Sequence, residues 1–110
     1  MIDYEVTLDI DAAIGEDYLA WLRGHVDAML ALPGFVSASM WRVDEPVPSG
    51  RLGLCVRYQL RDADALRDYL ADHAPAMRAE GLARFGAAVL ASRRILVPLA
   101  GPPQAGHGRS

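Results

Sequence analysis

Few residues of this chain have side chains suited to chemistry, and their spacing limits what that chemistry would be. The 110 residues hold three His and one Cys. His73 stands before Ala74-Pro75, near the end of a helical stretch. A neutral imidazole there could act as a general base near pH 7. Only Tyr69 and Asp72 lie close enough in sequence to orient it, and a purely structural His is the plainer reading. His25 follows Trp21 by one helical turn, a contact spacing. Cys55 shares a strand face with Arg57, which would favour its thiolate, although a small buried thiol is the commoner role. Trp41 and Arg42, with Tyr58 on the next strand, could stack against a planar ligand, but aromatic residues on strands more often serve core or interface.

Other chemistries are excluded on spacing. Three scattered His and one Cys offer no zinc pattern. The stretch Asp9–Gly15 superficially resembles a calcium loop, but Ala13 and Ile14 stand where the loop needs an oxygen ligand and a Gly. There is no dinucleotide fingerprint and no phosphate loop. All eleven basic residues are Arg, so Schiff-base chemistry is absent too. No metal and no cofactor is expected.

The elements that must carry these residues follow from periodicity. Ile2–Asp11 alternates for ten residues, with Ile2, Tyr4, Val6, Leu8 and Ile10 on one face, and predicts a half-buried strand. Ile14–Leu32 has helical spacing, with Tyr18, Leu22, Val26, Met29 and Leu30 in one stripe and Pro33-Gly34 as its stop. Phe35–Asp44 and Leu52–Arg61 alternate again around a turn-rich link and predict a hairpin. Asp62 or Asp64 caps a helix running to about His73, and Ala76–Phe85 follows as a second helical segment after Pro75. Ala88–Leu99 is a last strand. Residues 100–110 show no apolar pattern and predict a disordered tail. The order β-α-β-β-α-β is the ferredoxin-like α+β arrangement with an antiparallel sheet, one domain over residues 1–99.

Composition bounds the partners. A formal charge of −3 argues against nucleic acid. The longest apolar runs are five residues, far short of a membrane span of about 20. A single Cys and an N-terminus without a basic, apolar leader predict the cytoplasm.

Right-handed crossovers put both helical segments on one side of the sheet. The other side carries acids on the first strand (Asp3, Glu5, Asp9) and arginines on the strands expected beside it (Arg57, Arg61, Arg93, Arg94). Opposite charges across paired strands stabilise by roughly 0.2–1 kcal/mol each. Which face of the second strand meets the core is open, as is whether Arg93 or Arg94 joins the uncovered side.

Five stretches carry a resemblance. Met1-Ile-Asp-Tyr-Glu-Val-Thr-Leu8, Tyr18-Leu-Ala-Trp-Leu22 with Leu32-Pro-Gly-Phe35, and His73-Ala-Pro-Ala-Met-Arg-Ala-Glu-Gly-Leu-Ala-Arg-Phe85 with Ala91-Ser-Arg-Arg-Ile-Leu96 resemble an uncharacterised bacterial domain-of-unknown-function family. That family is similar in plan to the dimeric α+β barrels, which include antibiotic-biosynthesis monooxygenases and haem-degrading monooxygenases. The resemblance implies a homodimer with its sheets face to face. Haem-degrading members use an Asn, a Trp and a helix His. Trp41 and His73 could fill two of these roles, but the chain has no Asn.

The expectation is a small-molecule binding or sensing homodimer, with Trp41, Arg57, Tyr58 and Arg94 as ligand contacts and a small anionic or aromatic ligand. The alternatives are a cofactor-independent monooxygenase-like enzyme with His73 as base, and a structural interaction protein.

Overall fold

The computed structural model describes residues 1–99. The expected tail, residues 100–110, lies outside the described residues. Among the described residues, four strands and three helices form in the order β1 (Ile2–Asp11), α1 (Gly15–Leu30), β2 (Phe35–Arg42), β3 (Arg51–Leu60), α2 (Ala63–Asp72), α3 (Ala74–Phe85) and β4 (Val89–Leu96). The sheet runs β2-β3-β1-β4 with every neighbouring pair antiparallel. This is the ferredoxin-like α+β fold. None of the helices is long and apolar enough to cross a membrane.

The alternation of β1 and β3 becomes the core. Tyr4 pairs with Tyr58, Val6 with Val56, Leu8 with Leu54 and Ile10 with Leu52. Ile10, Val56 and Leu60 are buried almost completely, each worth roughly 1.5–3 kcal/mol against exposure. The α1 stripe of Tyr18, Leu22, Val26 and Met29 is buried over them. Asp62, not Asp64, caps α2: its Oδ1 accepts from the Ala65 N–H at 2.8 Å. Burial then leads with Ala65, Leu66 and Tyr69. By contrast, α3 buries only Ala74 and so packs loosely.

β2 answers the open question of its facing through a bulge. Phe35 pairs with Leu60, and Ser37 with Gln59, so Val36 is an extra residue. Phe35 therefore faces the core, edge-on to Tyr58 and Tyr69. Beyond the bulge Ala38 and Met40 face inward, and Ser37, Ser39 and Trp41 turn to the uncovered side. Simple alternation from Phe35 would put Phe35, Ser37, Ser39 and Trp41 on one face, and the bulge splits that set.

Candidate functional site

The two faces of the sheet carry different chemistry. On the uncovered face Glu5 is only 6% exposed. Arg94 Nε meets its Oε1 at 2.6 Å and Arg57 Nε its Oε2 at 3.2 Å. Arg57 also donates to Asp3 at 3.1 Å. Both follow from register, since Glu5 lies between Arg57 on β3 and Arg94 on β4. Two of the four expected arginines are elsewhere. Arg61 pairs with its neighbour Asp62 at the end of β3, and Asp9 is taken by Arg51 at 2.7 Å instead. Arg93 pairs with Val6 and so points to the opposite side. Trp41 is exposed beside this network, its Nε1 donating to Ser39 Oγ. Cys55 lies here too. Its thiol is not activated: burial and the Glu5 carboxylate push its pKa up, outweighing the Thr7 hydrogen bond, Arg57 and Arg94.

Between sheet and helices lies a partly open cavity of about 300 Å³. β1 and β3 give it a floor of Tyr4, Val6, Leu8, Val56 and Tyr58. α1 supplies Tyr18, Trp21, Leu22, His25 and Met29, and α2 supplies Tyr69. α3 contributes Met77, Arg78, Gly81 and Leu82, and β4 contributes Val89, Ala91 and Arg93. Two aromatic groups form its walls. Trp21 stacks on His25 with ring centres 4.6 Å apart, and Tyr18 and Trp21 meet Phe85 edge-on. Tyr4 packs against Tyr58 and Tyr69. Gly81 lets α3 approach this wall, because a Cβ there would lie 2.8 Å from the far edge of the Trp21 ring.

The polar groups of the cavity are few. Burial pushes the Tyr18 and Tyr69 hydroxyls up to about 12, against the pull of Arg93 on both and Arg78 on Tyr69. Burial raises Tyr58 further still. These three hydroxyls stay protonated at pH 7 and can donate. Arg78 donates to the Tyr4 hydroxyl at 3.0 Å. His25 is held below its usual value of 6.5, first by burial and then by Arg93, with Glu80 opposing. Its Nδ1 is buried with no hydrogen-bond partner, so double protonation would strand an N–H.

The expected ligand contacts therefore do not converge. Tyr58 lines the cavity, whereas Trp41, Arg57 and Arg94 lie across the sheet from it. The proposed stacking of a ligand between Trp41 and Tyr58 is ruled out by that separation. His73 joins α2 to α3 and is not among the residues lining the cavity. Tyr4, Val6, Leu8, Tyr18, Leu22, Met29 and Val56 were visible in the sequence as helix stripe and strand alternation, but that pattern marks core and cavity wall alike, and no pattern marked the lining residues of α3 and β4. Among the described residues, no cluster of His, Cys, Asp or Glu is placed to hold a metal ion.

Comparison with known proteins agrees with the fold. A candidate antibiotic biosynthesis monooxygenase from Deinococcus radiodurans superposes with a TM-score of 0.66 at 15% identity, covering 94% of this chain and 96% of that one. A variant of SnoaB, a cofactor-independent oxygenase from Streptomyces nogalater, gives 0.63 at 16% identity, covering 94% and 97%. A monooxygenase from Streptomyces coelicolor, ActVA-Orf6, in complex with nanaomycin D gives 0.59 at 19% identity, covering 94% and 92%. No curated protein matches the chain. Residues 1–99 match the family described as a domain of unknown function, DUF4286, and the chain belongs to that family.

Proposed function

We propose that this protein binds a small aromatic molecule in the cavity between its sheet and helices, and that it works in the cytoplasm as a homodimer joined through the uncovered sheet face. The cavity carries the reading. Its volume of about 300 Å³ lies at the lower end of the range of ligand sites. Its walls are mostly apolar and aromatic, with a few hydroxyl and guanidinium donors, the usual make-up of a site for a planar molecule. That a structural neighbour was captured with nanaomycin D lends support. The dimer reading rests on the uncovered face, where Trp41 and Leu90 are more than half exposed around a buried, charge-paired Glu5.

The enzymatic alternative has less behind it. His73, the expected base, is away from the cavity lining. His25 does line it, but a base whose second nitrogen has no acceptor is poorly suited to taking a proton. An interaction protein without a ligand is the remaining alternative, and one experiment separates it. Fluorescence of Trp21 is followed in a Trp41→Phe background while planar bicyclic and tricyclic probes are added, alongside native mass spectrometry of the untreated protein. Saturable quenching with a matching mass increment is expected. A protein that binds none of the probes and carries nothing from the cell would leave the interaction reading standing. Light scattering at micromolar concentration tests the dimer, which a monomer mass would remove.

A further inference from the structure

Along β1, β3 and β4, every residue turned toward the helices is apolar or tyrosine, except Arg93. Its neighbour Arg94 is satisfied by Glu5 on the other face. Arg93 has no carboxylate partner among the described residues. It lines the cavity, and its charge reaches Tyr18, Tyr69 and His25. A second cation, Arg78, enters from α3, and its hydrogen-bond partner is the neutral Tyr4 hydroxyl. Among the described residues, no Asp or Glu lines the cavity. His25 adds no charge near neutral pH, because burial keeps it unprotonated.

In the free protein Arg93 is exposed on the edge strand and also lines the cavity, so water solvates its guanidinium on the cavity side as well. A ligand that fills the cavity displaces that water. A neutral ligand would cost the cation its hydration on the cavity side with nothing to replace it. An anion replaces the lost water with a charge-assisted hydrogen bond, strengthened by the low dielectric it creates.

We propose that the cavity selects planar aromatic oxyanions, with Arg93 and Arg78 taking the anionic group and the rings lying against Trp21 and Tyr18. This rests on the reading of the cavity as a small-molecule site and adds the class of ligand. The arginines involved are not those on the uncovered face. The charges of Arg57 and Arg94 are already balanced by Asp3 and Glu5, whereas Arg93 and Arg78 have no such counter-charge among the described residues.

The test uses the full chain and three probes built on the same naphthalene ring: naphthoate, a dinitronaphtholate that is ionised at pH 7, and the neutral naphthalenemethanol. Calorimetric titration is expected to show at least one anion bound about tenfold or more tighter than the alcohol. Naphthoate alone would identify a carboxylate as the natural group, the naphtholate alone a phenolate or enolate, and both the shared oxyanion chemistry. Arg93→Met should bring the anion within about threefold of the alcohol without weakening the alcohol, because it removes charge and keeps a long apolar stem. Arg23→Gln, on the exposed side of α1, should leave all three affinities unchanged. Circular dichroism and a melting curve confirm that each variant is folded. If the alcohol binds the wild-type chain as tightly as both anions, or if Arg93→Met keeps the preference, the anion assignment is overturned while the cavity reading survives. If none of the three binds, the tricyclic probes fail as well and the protein carries nothing from the cell, both are overturned.

Discussion

Glu5→Gln tests how far the uncovered sheet face depends on one carboxylate. The substitution keeps the shape of the side chain and removes its charge. Arg94 and Arg57, now 2.6 and 3.2 Å from the two carboxylate oxygens, would then converge on a neutral amide. Arg57 keeps its bond to Asp3, but Arg94 has no other carboxylate among the described residues. A unit pair at 4 Å is worth about 4 kcal/mol at an effective dielectric near 20. The arginine side chains are 69% and 42% exposed, so solvent screens much of this. Fully exposed pairs contribute roughly 0.2–1 kcal/mol, and breaking a fully buried one costs roughly 3–5. With a buried acid and half-exposed bases, the expected loss lies between, about 1–3 kcal/mol. Urea denaturation at pH 7 reads it as a lower midpoint at unchanged slope. In a domain of this size each kcal/mol lowers the melting temperature by about 4–8 °C. Adding Arg94→Met to Glu5→Gln should restore part of the loss, because it removes one of the two facing cations. A loss below about 0.5 kcal/mol, the range of ordinary surface substitutions, would refute the view that this carboxylate organises the face.

Three further outcomes follow from the cavity and the open face. Because the folded state holds the His25 pKa below 6.5, the unfolded chain binds the proton more readily. The contribution of His25 is therefore complete above pH 6.5 and declines as pH falls toward its folded value, where it levels off. Stability of His25→Gln measured against pH should lose that part of the slope, and an unchanged slope would assign it to another group. Gly81→Ala gains about 1 kcal/mol of helix propensity but puts a methyl 2.8 Å from the Trp21 ring. Overpacking of this kind costs about 1–3 kcal/mol unless the neighbour moves. A Trp21 ring displaced into the cavity it lines should leave stability little changed while probe affinity falls about tenfold, and an undiminished affinity would show that the ring does not yield into the binding space. Trp41→Ala should leave monomer stability within about 0.5 kcal/mol, since the ring is 58% exposed. It should weaken self-association in sedimentation experiments by about tenfold, and unaltered association would place any dimer contact elsewhere.

What could be read from the sequence depended on whether a pattern specifies its own register. β1 and β3 alternate without interruption, so their inward sets were legible from residue types alone, and the structure pairs them face to face. β2 was not legible, because one inserted residue at Val36 reverses the facing of everything after it, and nothing in Phe35-Val-Ser-Ala-Ser marks the insertion. The site failed for a related reason. Trp41 and Tyr58 look like neighbours on a hairpin, but strand pairing puts them on opposite sides of the sheet. Helical spacing pointed to His73 as the base and gave His25 only a contact with Trp21, but the packing of α1 over β1 and β3 brings His25, not His73, to the cavity. Arg93 and Arg94 lie between these cases. Adjacent strand residues cannot share a face, so one of the two had to turn toward the helices whatever the register. The pairing of Glu5 with Arg94 decides which, and a slip of one residue would exchange their roles. The cation in the cavity is thus the necessary counterpart of the one that neutralises Glu5, and only its identity had to come from the structure.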